Sequence, residues 1–206
     1  SPTPDEMISG LKEALTTGTG NAVGFLNKAG GYLDNARFKI PFPQDAIRAA
    51  DKLRQLGFGS QVDKFIETLN RGAEDAAAEA KPIFINAITS MTITDAKNIL
   101  LGANNAATEY FKGKTYGSLS TAFSPHIKSS LDKVQATKYW TDVTTLYNKL
   151  PGVTKVNTDL VQYALGKALD GLFLKVSDEE GAIRTDINAR VSPMLKKVFG
   201  WAATQK

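Results

Sequence analysis

The chain has 206 residues, of which 42% are hydrophobic and 22% are charged, a balance typical of a globular protein with a substantial core. It contains no cysteine, which excludes disulfides, thiolate metal ligands and cysteine nucleophiles. No stretch approaches the roughly 18 apolar residues of a membrane-spanning helix, so we predict no transmembrane segment. Six lysines and three acidic residues at positions 104–150 supply most of the net charge of +4. This excess suits anionic partners such as lipid headgroups, but it lacks the dense basic stripe of duplex-binding proteins.

The N-terminal segment predicts an amphipathic helix that ends at a pair of glycines. Thr3 and Glu6 have the spacing of a capping box, and Pro4 suits the first helical turn. Gly30 and Gly31 allow the left-handed backbone that ends a helix. Apolar or small residues recur between these ends at steps of three and four: Ile8, Leu11, Leu15, Gly18, Ala22 and Phe25.

Residues 32–43, YLDNARFKIPFP, predict an extended connector because they hold two prolines and show no helical period. Its apolar residues, among them Phe38 and Ile40, are expected to pack on the body of the protein. A helix then follows up to Gly57. Later helices are expected to begin near Ser60, Thr94, Asn104, Thr115, Pro125 and Thr137. Another is expected to run from about Asn157 to Thr185, and the last to begin at Ser192–Pro193.

The stretch RGAEDAAAEAKPIF at residues 71–84 raises the question of whether a helix ends at Pro82. Small and apolar positions alternate at three and four from residue 66 to residue 87 without a change of phase, which a true break would normally reset. We therefore predict one long central helix over roughly 60–90, kinked near Pro82, where proline removes the hydrogen bond to the Ala78 carbonyl. The alternative is two helices, with Pro82 in the first turn of the second.

The small side chains of this stretch allow two interpretations. Ala73, Ala76 and Ala80, followed by Phe84, share one helical face. Such a face is a packing seam if another helix approaches it closely. It is instead the wall of a groove if the space in front of it holds an apolar ligand.

The chain as a whole predicts an all-α fold of about eight to ten helices, because helical periods dominate and strand patterns are weak. No repeat of fixed length is apparent and the composition does not shift along the chain. We therefore predict one helical-bundle domain over residues 1–206.

Two groups of charged residues are candidate polar sites. Asp170 lies at the edge of an apolar stripe, and a carboxylate buried there needs a partner such as Lys167 or Arg71. This predicts a buried polar cluster of these three residues. Glu180 and Arg184 have the spacing of an ion pair on one helix face, which we predict to be a surface pair.

Motifs of common enzymes are incomplete. The glycines at 18–24 miss the dinucleotide-binding spacing and follow no strand. His126 is the single histidine, so neither a zinc site nor a serine–histidine nucleophile is indicated, and a surface or capping role is expected. Lysines and aromatics interleave at 110–116, but this equally suits an amphipathic helix end. We predict no catalytic residues, no metal, no cofactor and no nucleic-acid partner.

Six segments, spread in order along nearly the whole chain, resemble one bacterial family, the domain of unknown function 4197. They are GLKEAL (10–15), KIPFP (39–43), LNRGAEDAAAEAKPIFINAI (69–88), ATKYW (136–140), KALDGLF (167–173) and LKKVFG (195–200). The resemblance implies an uncharacterised helical protein. Its members often carry a signal or lipoprotein-like leader, which implies a periplasmic or envelope location after signal removal. The family supplies no active site to carry over. Gly181, where its members often have a charged residue, places the continuity of the 157–185 helix in question.

These patterns lead to two functional expectations. The first is a non-catalytic binding module in the bacterial envelope for a lipid or another apolar or amphipathic ligand. The alternative is a structural or protein-partner-binding helical protein with a packed core. An apolar cavity of several hundred Å³, the size of typical ligand sites, favours the first expectation, and a filled core favours the second.

Overall fold

The computed structural model describes residues 1–149 and 151–206. Over these ranges the chain forms nine α-helices and no strand, which confirms the predicted all-α class and helix number. Three short 3-10 helices lie at Gln44–Ala46, Ala77–Glu79 and Ile187–Ala189. The α-helices are α1 (Pro4–Asn27), α2 (Ile47–Gln55), α3 (Gly59–Ala76), α4 (Ala80–Thr89), α5 (Ile93–Leu100), α6 (Ala106–Lys133), α7 (Ala136–Asn148), α8 (Leu160–Thr185) and α9 (Pro193–Ala203).

Local sequence explains where helices begin and end. The backbone N–H of Thr3 donates to Glu6 Oε1 at 3.0 Å, and the N–H of Glu6 donates to Thr3 Oγ1 at 3.2 Å. This reciprocal pair is the predicted capping box of α1. Thr92 and Asp95 form the same arrangement at the start of α5. Gly57, which follows α2, has a φ of 89°, a left-handed conformation that glycine adopts without steric cost.

The helical run around Pro82 is continuous. Helix α3, the 3-10 turn Ala77–Glu79 and α4 follow one another from residue 59 to residue 89, as the unbroken phase of the sequence predicted. The helix tightens in the turn just before Pro82, in the region predicted to be kinked. Pro82 is the third residue of α4. It therefore also occupies the first helical turn, as the two-helix alternative predicted, where a missing N–H costs little.

The predicted helix starts near Thr115 and Pro125 are wrong, because α6 runs unbroken through both residues. A proline inside a helix costs about 3 kcal/mol, but burial of each large apolar side chain contributes about 1.5–3 kcal/mol. The helix has four such side chains at successive fourth positions, all without exposed surface: Leu119, Phe123, Ile127 and Leu131. Their burial outweighs the cost of Pro125. Helix α8 likewise continues through Gly181, so that residue does not interrupt it.

Residue contacts group the chain into two compact units. Unit 1 holds Ser1–Phe25, Glu79–Leu119 and Leu172–Lys206, and unit 2 holds Leu26–Ala78 and Ser120–Gly171. Three α-helices, α1, α6 and α8, contribute residues to both units. The assignment of residues 1–206 to one domain stays a prediction.

Candidate functional site

The small-residue face of α3 and α4 is buried. Ala73, Ala76, Ala80 and Phe84 have no exposed surface. In unit 1 the Phe84 ring lies 5.3 Å from the Phe111 ring, measured between centroids. These side chains therefore pack against protein atoms, which favours the packing seam over an open groove at this face.

Helices approach closely beside this seam in unit 2. A Cβ atom built on Gly72 would lie 3.1 Å from Ser130 Cβ and 3.4 Å from Ile127 Cα, both on α6. The 3.1 Å spacing is tighter than ordinary van der Waals contact, so a side chain at residue 72 would require Ser130 to move by a few tenths of an ångström. The glycine and the neighbouring alanines thus serve helix packing here.

The predicted buried cluster of Arg71, Lys167 and Asp170 is wrong, because all three residues are exposed. Asp170 lies beside the apolar stripe of α8, but its carboxylate faces solvent and needs no buried partner. Arg71 instead pairs with Glu74 one helical turn away, with Arg71 Nη1 2.7 Å from Glu74 Oε1. The prediction of a carboxylate paired with Arg71 named Asp170, whereas the carboxylate that pairs with Arg71 is that of Glu74.

Glu74 is the buried carboxylate of unit 2, with a side chain only 4% exposed. Oε1 accepts the N–H of Gly30 at 3.1 Å, and Oε2 accepts those of Tyr32 at 3.2 Å and Leu33 at 2.9 Å. Because these donors belong to the turn after α1, Glu74 satisfies three backbone groups at once. Burial, and secondarily the negative charge of Glu74, raises the pKa of Tyr32, whose hydroxyl donates to the Ala168 carbonyl at 2.7 Å.

Asn70 holds the following part of the connector. Its Oδ1 accepts the N–H of Ile40 at 2.7 Å, and its Nδ2 donates to the Ile40 carbonyl at 2.9 Å. The side chain thereby replaces the two-way pairing of a neighbouring strand. Tyr163 adds a bond from its hydroxyl to the Pro41 carbonyl at 2.7 Å, and burial raises the pKa of Tyr163 to about 12. The prediction of an extended connector is wrong over residues 32–34 and 36–38, which form hydrogen-bonded turns. Apolar packing and these side-chain bonds hold residues 39–43, which follow those turns.

Glu180 and Arg184 form the predicted ion pair, at 3.0 Å, but its surface placement is wrong because each side chain is only 5% exposed. Glu180 accepts the backbone N–H groups of Ala107 and Thr108, both at 2.9 Å, at the start of α6. Arg184 donates to the carbonyls of Ile99 and Leu100, where α5 ends. The anion therefore lies at a helix N-terminus and the cation at a helix C-terminus, as helix dipoles favour.

A cleft of about 400 Å³ opens in unit 1. We call it the α4–α6 cleft, because its lining comes from α4, the start of α5 and α6. Its lining residues are Ile83, Asn86, Ala87, Ser90, Thr92, Asp95, Tyr110, Lys114, Thr115 and Ser118. By contrast, an apolar cavity of about 20 Å³ between α1, α8 and α9, bordered among others by Leu11, Val176 and Phe199, has room for about one water molecule.

Charged and phenolic groups lie side by side in the α4–α6 cleft. The Tyr110 hydroxyl donates to Asp95 Oδ2 at 3.4 Å, and Lys114 Nζ lies 5.8 Å from the centre of the Tyr110 ring. Hydrogen bonds from the backbone and the hydroxyl of Thr92 lower the pKa of Asp95, and the charge of Lys114 lowers it further. Partial burial and the neighbouring carboxylate raise the pKa of Tyr110.

The sequence missed this cleft because its lining residues are scattered over 36 positions, from residue 83 to residue 118. The interleaved lysines and aromatics at 110–116 were the signal closest to it. Phe111 is fully buried, so it offers no face to a stacked base. Tyr110 and Lys114 reach the cleft because they lie four residues apart on one face of α6.

Neither a metal-binding group of side chains nor a membrane-spanning helix lies in the described part of the chain. Among residues 1–149 and 151–206, no group of three or more histidine, cysteine, aspartate or glutamate side chains is placed to hold a metal ion. Over the same residues, every helix is too short or too polar to cross a membrane.

Comparison with known proteins assigns the chain to a family. A family model described as "Protein of unknown function (DUF4197)" matches residues 1–200. The chain belongs to the DUF4197 family. This confirms the resemblance carried by the six sequence segments, and the match spans both units. No curated protein and no solved structure matches the chain.

Proposed function

We propose that this DUF4197 chain is a non-catalytic binding module whose α4–α6 cleft takes a small amphipathic molecule. The observation that carries the proposal is the cleft volume of about 400 Å³, within the roughly 300–1,000 Å³ of ligand sites in proteins. A small organic molecule is the class of ligand that such a volume admits.

The apolar cavity between α1, α8 and α9, at about 20 Å³, falls far short of the several hundred Å³ expected for a purely apolar ligand. The mixed lining of the α4–α6 cleft instead supports an amphipathic ligand. Ile83 and Ala87 offer partly exposed apolar surface from α4. Asp95 and Lys114 contribute opposite charges from α5 and α6. A ligand with an aliphatic part and a polar or charged end would cover the first surface while its polar end stays hydrogen-bonded.

The directions in which the pKa values of Asp95 and Tyr110 are shifted support a binding role over catalysis. A general acid or base works best with a pKa near the working pH. Here the pKa of Asp95 is lowered and that of Tyr110 is raised, so both move away from neutrality. Asp95 also accepts the Thr92 backbone N–H in the capping box of α5, which gives this carboxylate a structural role.

Native mass spectrometry of protein purified without detergent tests the proposal. We expect a co-purifying small-molecule mass in the wild-type protein. The variant Ala87→Phe fills the cleft and should lose this mass. The matched control, Ala49→Phe on α2, places the same side chain at another half-buried alanine and should keep it. Absence of any bound mass together with a defined oligomer would favour the structural or partner-binding alternative.

We also propose that the protein works in the bacterial envelope. The support is its family membership, since proteins with this resemblance often carry a signal or lipoprotein-like leader. Fractionation of cells that express the full-length gene, followed by protease treatment of spheroplasts, tests the location. Recovery in the cytoplasmic fraction, protected from protease, would refute it.

A further inference from the structure

Helix α7 presents two large apolar side chains to solvent. Tyr139 is 59% exposed and Leu146 is 67% exposed. They lie seven residues apart, which is nearly two helical turns, so they project from the same face about 10 Å apart along the axis. Large exposed side chains with a common direction on one helix form a contact surface more readily than scattered ones.

The inward face of α7 is fixed in unit 2. The Trp140 ring packs on the rings of Phe42 and Phe65, with centroids 5.6 and 5.9 Å away. Its indole N–H donates to the Asn157 carbonyl at 3.2 Å. Because Trp140 anchors the inward face, the neighbouring Tyr139 side chain is held toward solvent. It can contact a partner without a rearrangement of α7.

Exposed lysines lie on α7 and in the segments next to it. By helical geometry, Lys138 on α7 and Lys149 directly after it lie on the same side of Tyr139. They are rotated from Tyr139 around the helix axis by about 100° and about 80°. Lys133 and Lys155 are exposed in the segments that flank the helix. Asp142 is the one acidic residue between positions 133 and 155, so this segment carries four positive charges and one negative charge.

We propose that this face of α7, made of Tyr139 and Leu146 within a segment that carries four exposed lysines, docks on an anionic lipid bilayer surface. Charge complementarity selects this occupant: lysines attract anionic headgroups, and their alkyl chains can lie along the interface while the ammonium groups stay hydrated. Tyrosine and leucine enter the boundary between headgroups and acyl chains, where an amphipathic helix lies flat. The contact is peripheral and reversible, and it is independent of a ligand in the α4–α6 cleft.

Co-sedimentation with vesicles tests the proposal, using phosphatidylglycerol–phosphatidylcholine vesicles against pure phosphatidylcholine. We expect binding to the anionic vesicles only, and release when salt rises, because screening weakens the attraction. In Lys138→Gln and Lys149→Gln variants the dissociation constant should rise about fivefold for each lysine removed. The double variant Tyr139→Ser/Leu146→Ser should also lose binding.

A matched control separates this face from general hydrophobicity. Ile187 and Val191, which are 67% and 74% exposed in unit 1, are replaced together by serine, and this variant should bind as the wild type does. Equal binding by both double variants would overturn the proposal. So would equal binding to neutral vesicles, or a concentration-dependent dimer that Tyr139→Ser/Leu146→Ser abolishes in the absence of vesicle binding.

Insertion of α7 into the bilayer surface can be measured directly, because the chain has no cysteine and a single introduced cysteine can be labelled. Leu146→Cys, labelled with an environment-sensitive fluorophore, should shift to shorter emission wavelength when anionic vesicles are added. Val191→Cys with the same label should not shift. A shift at residue 191 without one at residue 146 would place the membrane contact elsewhere and refute the assignment to α7.

Discussion

At the scale of single residues, buried side chains take over hydrogen bonds that regular structure would otherwise supply. The connector after α1 has no neighbouring strand, so its backbone groups need partners from side chains. Glu74 accepts the N–H groups of Gly30, Tyr32 and Leu33 in and next to the turn after α1, and Asn70 pairs with both backbone groups of Ile40. The burial of the polar residues Glu74 and Asn70 therefore has a structural reason, since both hydrogen-bond the backbone of the irregular segment after α1.

Replacing Glu74 should destabilise the protein strongly. Glu74→Ala leaves one buried and two partly buried N–H groups without their acceptor, and we expect a loss of about 2–4 kcal/mol, because each unsatisfied buried donor costs about 1–3 kcal/mol. The free energy of unfolding in urea measures the effect. Asp170→Asn, the matched control at an exposed carboxylate, should change stability by less than about 0.5 kcal/mol. A large effect of Asp170→Asn would contradict the exposed placement of that residue.

At the scale of helices, small side chains and charged helix ends decide the packing. The alanines of α3 and α4 are fully buried, because a short side chain lets neighbouring backbone come close. The Glu180–Arg184 pair acts on whole elements, since it joins the end of α5, the start of α6 and one turn of α8.

Enlarging the seam should cost stability. Ala76→Leu adds methylene groups at a position without exposed surface, and we expect a loss of about 1–3 kcal/mol from overpacking. Ala78→Leu, two residues away at an exposed position, should be close to neutral. Thermal unfolding of the two variants compares them directly, and a neutral Ala76→Leu would instead indicate open space at this face.

Breaking the buried ion pair should cost more than breaking an exposed one. Arg184→Met leaves Glu180 buried without its cation, with an expected loss of about 3–5 kcal/mol. The control is Lys128→Met on α6, whose partner Asp132 is also four residues away but whose pair is 63% and 48% exposed. That variant should lose about 0–1 kcal/mol. Equal losses in chemical denaturation would show that burial does not set the strength of these pairs.

At the scale of the whole molecule, α1 and α9 of unit 1 are linked although they lie at opposite ends of the chain. Lys197 Nζ donates to Glu6 Oε2 at 2.6 Å, across 191 positions of sequence. Nearby, a Cβ atom on Gly10 would lie 2.6 Å from Val198 Cγ2, so α1 and α9 come close where glycine leaves room. The charge link and the close approach hold the two terminal helices against each other.

This link predicts a dependence of stability on pH. The hydrogen bond from Lys197, followed by that from the Thr3 backbone, lowers the pKa of Glu6 from its ordinary 4.5 to about 2. Since folding favours the carboxylate, the link contributes fully above pH 4.5, and its contribution is lost as pH falls through about 2. Urea midpoints measured across this range should fall more for the wild type than for Glu6→Gln. Parallel curves for the two proteins would contradict the coupling.

The sequence by itself determined the helical class, the family, the capping box of α1 and the continuity of the helical run past Pro82. These features depend on residues three or four positions apart, so their physical causes lie within a short window. Only the tertiary structure decided which polar groups are buried, because burial depends on residues distant in the chain. Glu74 meets donors 41 to 44 positions away, and Glu180 meets donors 72 and 73 positions away, whereas Asp170, at the edge of an apolar stripe, faces solvent. The α4–α6 cleft and the outward face of α7 belong to the same class, since space and exposure arise only when helices pack.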